Sequence, residues 1–515
     1  MNPTSRKTAT LLNLLFQYLM MALMIVRGIV LPPLALQFIA PDLLGAWLAS
    51  GNIVQWLMVS EGGAWLFLRQ QTALEFGRGD RTALAEVIGS GGLLLCLLGG
   101  VIVLVGLGVA LLVPGWLHVE AKFSREFITA FILTVIGMGL SLPACIPRAV
   151  GHGLQRQIAV NISLLVAEMI SLGVSIVLLF AGFGVVALGS GPLVREAIQN
   201  VVNWPILAMM LRSLHIRPSF SAAYMKSMTG QIGWTFVNNL SGVMRRNVDA
   251  LIVSQVFGNP AVLAVEWTKR FWEICSSLVA RANTSFTPSL AHLYGEGDLL
   301  KFRTISKQLF MVTTVGLGIA LGFGLALNEP FVRLWVGGGF YAGADYNLLV
   351  GLATVVSAIG FAMIEIMFAA GNVRRPAVAQ LIQTVARIGV LFALVPSMGL
   401  LSIPLSMLAS EVLGGVLYLG LEWKRMLEVP SCEILEHLRA IVRALVIAVV
   451  MAKAWEWLPS ARTWPMLLAH GAFLGASISL AYYLMEPFVK TKVNSFVGAM
   501  VAVRKQTGSF RKGGL

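Results

Sequence analysis

Residues 11–38 read LLNLLFQYLMMALMIVRGIVLPPLALQF, with Arg27 as the single charge. About 20 largely apolar residues suffice to cross the hydrocarbon core of a bilayer as a helix, and this run is longer. A cleaved secretory leader has a shorter apolar core followed by a small-residue cleavage site. The run is therefore expected to be a retained first span. Working outward from it, comparable runs fall near 43–68, 88–113, 127–147, 158–181, 184–211, 229–257, 261–291, 304–335, 346–370, 377–397, 400–422, 438–458 and 464–486. The expected fold class is an all-α polytopic membrane protein with about fourteen transmembrane helices.

The whole chain has the composition of such a protein. Hydrophobic residues make up 57% and charged residues only 12%, with a mean hydropathy of +0.81. A soluble domain carries roughly 25% charged residues, so lipid must be the solvent for most of this surface. Cys96, Cys145 and Cys275 lie in apolar runs and Cys432 follows a basic stretch; none forms a CxxC pair, which argues against a disulfide framework or a thiolate metal site. The six histidines are dispersed, and the chain has neither a GxxxxGK[ST] phosphate loop nor HExxH. No cofactor is expected, and the protein is not expected to be an enzyme. Its energy would come from the membrane potential, from a Na⁺ or H⁺ gradient, or from mass action.

Orientation follows from the loop cations, because Lys and Arg are retained on the cytoplasmic side. With the N-terminus inside, that side collects Arg69, Arg78, Arg81, Arg148, Arg156, Arg212, Arg217, Lys226, Lys301, Arg303, Lys307, Arg374, Arg375, Lys424 and Arg425, and the tail adds six more. The opposite loops hold little beyond Lys122, Arg125 and Arg462. The expected location is the inner (plasma) membrane, multi-pass, with both termini cytoplasmic. This asymmetry, plus attraction to anionic headgroups, accounts for most of the net charge of +14. Nucleic acid is not an expected partner, since the cations are not gathered in one soluble module.

An internal repeat is visible. Phe76-Gly77-Arg78-Gly79-Asp80 matches Tyr294-Gly295-Glu296-Gly297-Asp298, Gln37 matches Gln255, and Arg27 maps onto Arg245, all at one offset of 218. The stretch from Gly151 to Val160 resembles that from Gly371 to Val378 with one gap. An offset covering six spans keeps both copies in the same membrane orientation, which makes a parallel repeat with a site expected at the interface of the halves. The expected domains are a six-helix lobe over 1–211, a cytoplasmic linker over 212–228, a second six-helix lobe over 229–425, and two extra helices with a basic tail over 426–515.

Leu44-Gly45-Ala46-Trp47, the turn at Phe76–Asp80, Arg245-Arg246-Asn247-Val248-Asp249, and Pro288-Ser289-Leu290 followed by Gly295–Asp298 together resemble the polysaccharide transporter (O-antigen, Wzx-type flippase) family. That family belongs to the multidrug/oligosaccharidyl-lipid/polysaccharide (MOP) exporter superfamily. The resemblance covers roughly residues 10 to 425. It implies two six-helix bundles around a central cavity, alternating access, and an undecaprenyl-pyrophosphate-linked oligosaccharide as cargo. Membrane lipids, a polysaccharide polymerase and glycosyltransferases are the partners such a role implies.

Charges within spans cost about 2.5–3.5 kcal/mol each at a helix centre on insertion scales, so they are expected to face a cavity or a partner. The first helix carries Asn13, Gln17 and Arg27; the sixth carries Arg195, Gln199 and Asn203. The seventh carries Gln231, Thr235, Asn238, Arg245 and Asp249 on one face, and the eighth carries Glu266, Arg270, Glu273, Ser277 and Arg281, with Lys269 beside them. Arg27, Arg245 and Arg281, then Arg246 and Arg270, are the expected substrate-binding cations, because a guanidinium pairs phosphate oxygens bidentately and stays charged. Asp249, Glu266, Glu273 and Glu61 are the expected ion-coupling or gating groups.

A structural role competes for each of these. Arg270 lies four residues from Glu266, Lys269 four from Glu273, and Arg245 four from Asp249, so each could be a local ion pair. Arg27 and Arg281 have no nearby acid in their own helices. Glu61, Glu168, Glu365, Arg387 and Glu411 are lone intramembrane charges with gating or ion coupling as candidate roles, and pairing between helices is the stronger expectation for any one of them. Tryptophans 47, 56, 116, 335, 455, 457 and 464 fit the aromatic belt at headgroup level; Trp56 and Trp234 are also candidates for stacking on sugar. Competing functions are a lipid II flippase, a multidrug or toxin extruder, whose usual cationic cargo an Arg-rich cavity would repel, and a membrane-embedded polymerase or ligase, which needs a larger external loop.

Overall fold

The computed structural model describes residues 3–372, 374–427, 431–491 and 494; the side chains of 3–14, 60, 227, 230–239, 246, 282, 288, 427 and 431–434 lie outside that description. The described residues form helices and no strand. Fourteen long helical stretches follow one another: α1 (Pro3–Phe38), α2 (Pro41–Met58, then Ala64–Arg78), α3 (Arg81–Ala110), α4 (Ala121–Gly153), α5 (Ile158–Phe180), α6 (Gly184–Ser213), α7 (Ala222–Asn247, then Asp249–Phe257), α8 (Asn259–Gly295), α9 (Leu299–Trp335), α10 (Ala344–Ala369), α11 (Arg374–Met398), α12 (Ser402–Ser410, Glu411–Tyr418 and Leu419–Leu427), α13 (Ser431–Trp455) and α14 (Trp464–Met485). The expected all-α polytopic class and the expected number of helices both hold.

The differences lie at the ends. Residues 69–87 were expected to form a loop, yet α2 runs on to Arg78 and α3 begins at Arg81. Hydropathy reports only the stretch inside lipid, and polar turns continue a helix into the headgroup layer without an apolar signal. Helix α8, at 37 residues, would be about 55 Å long at 1.5 Å per residue, well beyond the ~30 Å hydrocarbon core. Helix α2 is interrupted at Val59–Glu61 by a tight turn that ends on Gly62 (φ 58°) and Gly63 (φ 84°). Two successive left-handed residues are tolerable here only because neither has a Cβ.

The repeat is carried into the backbone. Gly79 and Gly297 both sit at φ 76°, and each ends a helix with its N–H bonded to the carbonyl three residues back (Phe76 and Tyr294). The next residue then caps the following helix: Asp80 accepts from the N–H groups of Thr82 and Ala83, and Asp298 from that of Lys301. Hydrogen bonds from the Lys301 side chain and then its backbone hold the Asp298 carboxyl below its ordinary range. That cap is therefore complete above the ordinary carboxylate pKa and is lost as pH falls through the lowered one.

The chain divides into two compact units, Met1–Glu266 and Trp267–Leu515. In the first, α4 and α6 pack along their length, α5 lies on α6, α1 on α5, and the second half of α7 on α2. The α4–α6 seam depends on missing side chains: a Cβ on Gly189 would stand 2.3 Å from the Ala130 carbonyl oxygen, and one on Gly137 would stand 2.6 Å from the Leu193 nitrogen. Small residues let membrane helices approach this closely, where water supplies no hydrophobic driving force. In the second unit α9 packs against α10, α13 and α14, and α11 against α12. Among the described residues, eight stretches, which take in α1, α3–α5, α9–α12 and α14, are long and apolar enough to cross a membrane by length and composition.

Gly189→Ala should lower the thermal stability of the purified protein in detergent by about 1–3 kcal/mol, the usual cost of overpacking. Gly100→Ala meets nothing within 4 Å and should leave stability unchanged; equal effects from the two would contradict the close-packed seam.

Candidate functional site

In the first unit Arg27, Glu168, Arg195 and Glu196 form one ion-pair chain across α1, α5 and α6. Arg27 Nη1 stands 2.6 Å from Glu168 Oε1, Arg195 Nη1 stands 3.3 Å from Glu168 Oε2, and Arg195 Nε stands 2.7 Å from Glu196 Oε1. Glu168 and Glu196 are buried, with side chains 4% and 2% exposed, whereas the arginines keep 23% and 28%. Gly191 makes room for this group: a Cβ there would lie 3.1 Å from Arg27 Nη2 and 2.8 Å from Ser175 Oγ. Two positive and two negative groups cancel, which is how such charges can be kept at bilayer depth. Arg27 has no acid on its own helix, but Glu168 supplies one from 141 residues away. The absence of a nearby acid within the first helix stands, and the partner comes from another helix.

The stripe continues along α6. Gln199 and Asn203 are fully buried, and neither amide group has a hydrogen-bond partner among the described residues. At the break in α2, Glu61 accepts the Trp65 N–H and feels the charge of Arg148, which itself donates to Cys145 Sγ at 2.9 Å. Arg148, assigned from the sequence to a cytoplasmic loop, belongs to α4. Its interior role was missed because a cation near a span end reads as a topology signal. Arg245 is half-buried on α7 and Asp249 is buried, with the helix interrupted between them at Val248. The side chain of Arg246 lies outside the described residues, as do those of Asn13, Gln231, Trp234, Thr235 and Asn238.

On α8 the side-chain distance settles one of the two pairings that the spacing offers Arg270. Arg270 binds Glu273, three residues on, at 3.1 Å; Glu266 is half-buried and Lys269 is 9% exposed. Arg281 is exposed and has no acidic partner among the described residues. In the second unit the lone acids are engaged between helices. Glu365 of α10 accepts from Thr287 Oγ1 of α8 at 2.5 Å, and Glu411 of α12 from Gln383 Nε2 of α11 at 2.9 Å. Glu411 opens the π-helical turn Glu411–Tyr418, and Arg387 is buried one turn from Gln383. Such wide turns inside helices concentrate at functional positions. The arrangement thus combines an ion-pair chain in the first unit and hydrogen-bonded acids in the second with a guanidinium on α8, that of Arg281, which has no acidic partner among the described residues. It is suited to binding and conformational exchange.

A family model described as "Polysaccharide biosynthesis protein" matches residues 101–341. The uncharacterized membrane protein EpsK of Bacillus subtilis (strain 168) is 21% identical over 333 residues, which cover 62% of this chain and 64% of that protein. The structure superposes on the lipid II flippase MurJ in an inward closed conformation with a TM-score of 0.70, over 91% of this chain and 99% of that one, at 13% identity. An inward-facing multidrug resistance MATE family transporter of the MOP superfamily gives a TM-score of 0.64 over 77% and 93%, at 14% identity. The chain has the MOP fold. The resemblance read from its motifs is thereby borne out. Within this MOP fold, Arg27 and Arg195 are tied to a shared acid on the fifth helix.

The bridging role of Glu168 can be measured. Glu168→Gln should cost about 1–3 kcal/mol, less than the 3–5 kcal/mol of a fully buried pair because the arginines are partly exposed. In a double-mutant cycle with Arg27→Gln the second substitution should recover part of the loss. Strict additivity of the two would show that the pair carries no coupling.

Proposed function

We propose that this protein is a flippase that carries undecaprenyl-pyrophosphate-linked oligosaccharide, an O-antigen or exopolysaccharide repeat unit, from the cytoplasmic to the periplasmic leaflet by alternating access through a cationic cavity. The observation that carries the reading is the polysaccharide-biosynthesis match over residues 101–341 of a chain with the MOP fold. A pyrophosphate headgroup needs cations that no protein acid has already neutralised. Arg281 meets that requirement, and it heads the substrate-binding set of Arg27, Arg245, Arg246, Arg270 and Arg281. Arg27 and Arg270, each already paired with an acid, would exchange partner when cargo arrives.

The driving force can come from charge alone. An inside-negative potential favours outward movement of an anion by about 2.3 kcal/mol per charge per 100 mV, and it draws an empty cationic cavity back inward. In the competing scheme a Na⁺ or H⁺ gradient is coupled through Asp249, Glu266, Glu273 or Glu61. The lipid II flippase is the second reading, supported by the 91% coverage of this chain by MurJ. It shares the anionic-cargo logic and differs in the saccharide.

In cells, Arg281→Ala should cause lipid-linked oligosaccharide to accumulate in the cytoplasmic leaflet and reduce export at least tenfold at unchanged protein level, with partial rescue by Arg281→Lys. Accumulation of lipid II instead would establish the second reading. In proteoliposomes, collapse of the potential should slow translocation severalfold. A rate insensitive to potential but dependent on a Na⁺ or pH gradient would replace the electrostatic scheme with antiport.

A further inference from the structure

A cavity of about 900 Å³ lies wholly within the second unit, among the last turns of α9, the first turn of α10, the last turns of α13, the connection that follows, and His470 of α14. It uses the two helices that follow the twelve of the repeat, and it is separate from the polar clusters already described. The loop-cation rule assigns this end to the periplasmic side. Its lining is polar at the helix ends, with Glu329, Arg333, Asp345, Lys453, Glu456 and Arg462, and becomes apolar at Leu325, Leu348 and Val449, one or more turns further from those ends.

The charges are not all self-satisfied. Arg333 binds Glu329 at 2.7 Å, and Lys453 binds Glu456 at 2.7 Å. Among the described residues Asp345 and Arg462 make no ion pair, which leaves one negative and one positive group in the same wall. Helix α10, 26 residues long, starts in this wall after Gly343, with Asp345 in its first turn. Outside the cavity, α13 and α14 present Val446, Val450, Leu468 and Phe473 as exposed apolar residues, a surface that belongs in lipid.

We propose that this cavity binds the headgroup and upper acyl region of a zwitterionic phospholipid of the outer leaflet. The phosphate would lie toward Arg462, the ammonium toward Asp345 in the first turn of α10, and the chains toward Leu325, Leu348 and Val449. A lone cation with a lone anion matches a zwitterion better than a purely anionic headgroup, and the polar-to-apolar gradient matches an amphiphile better than a soluble phosphate ester. The bound lipid fastens α13 and α14 to α9 and α10. The proposal does not depend on which cargo the protein moves.

The test is native mass spectrometry of the full-length protein in detergent, supplied with equimolar phosphatidylethanolamine and phosphatidylglycerol, with thermal stability measured in parallel. The expected result is retention of about one phosphatidylethanolamine at least fivefold above phosphatidylglycerol, and a stability gain that glycerophosphoethanolamine does not reproduce. Asp345→Asn should abolish the preference, Arg462→Ala should weaken retention of both lipids, and Val449→Trp, which fills the apolar end, should exclude both. Equal retention of the two lipids by the parent, or no change in Asp345→Asn, overturns the zwitterion assignment. An equal gain from glycerophosphoethanolamine, or displacement of the lipid by a free oligosaccharide, overturns the lipid assignment.

Discussion

The cost of an unpaired charge at bilayer depth is the constraint on which this structure depends. Four ionised groups on α1, α5 and α6 are kept together because each has a partner: Glu168 bridges two guanidinium groups and Glu196 completes the chain. Any one of them alone would be expensive, and a neutral cluster can be inserted. The small residues follow from this requirement. Gly191 clears the space that the Arg27 side chain occupies, and Gly137 and Gly189 bring α4 and α6 close enough to seal the interior. Packing and electrostatics thus meet on the same helix, α6.

The same rule distinguishes the cations from one another. Arg27, Arg195 and Arg270 are compensated, and Arg281 has no acidic partner among the described residues. The proposed transport of an anion would use both kinds. Compensated cations can exchange a protein acid for a substrate oxygen at small net cost, whereas an uncompensated cation supplies the initial attraction. Glu365 and Glu411 are bonded to Thr287 and Gln383 in the second unit, and Glu411 opens a π-helical turn.

Much of the fold was legible because its signals are local. Apolar runs marked all fourteen helices, and the Gly-x-Gly-Asp turns that announced the repeat do so through backbone geometry, with Gly79 and Gly297 at the same φ and Asp80 and Asp298 as caps. Helix ends were less legible, since the turns of α2 beyond Leu68 lie where hydropathy carries no information. The site was the least legible part. Spacing along α8 offers Arg270 both Glu266 and Glu273, and only side-chain geometry selects Glu273. Nothing in the sequence near Arg27 points to Glu168, because their meeting depends on how α1 lies on α5. Arg148 was hidden by its resemblance to a topology marker.

Arg281 is exposed, whereas Arg27 is held in an ion-pair chain. Single cysteines at 27 and 281, in a background with Cys96, Cys145, Cys275 and Cys432 replaced, can be titrated with a membrane-impermeant thiol reagent to ask which of the two meets water. Fast labelling is expected at 281, slowed by lipid-linked pyrophosphate, with labelling at 27 slower by at least tenfold. Rapid modification at 27 with none at 281 would contradict this expectation.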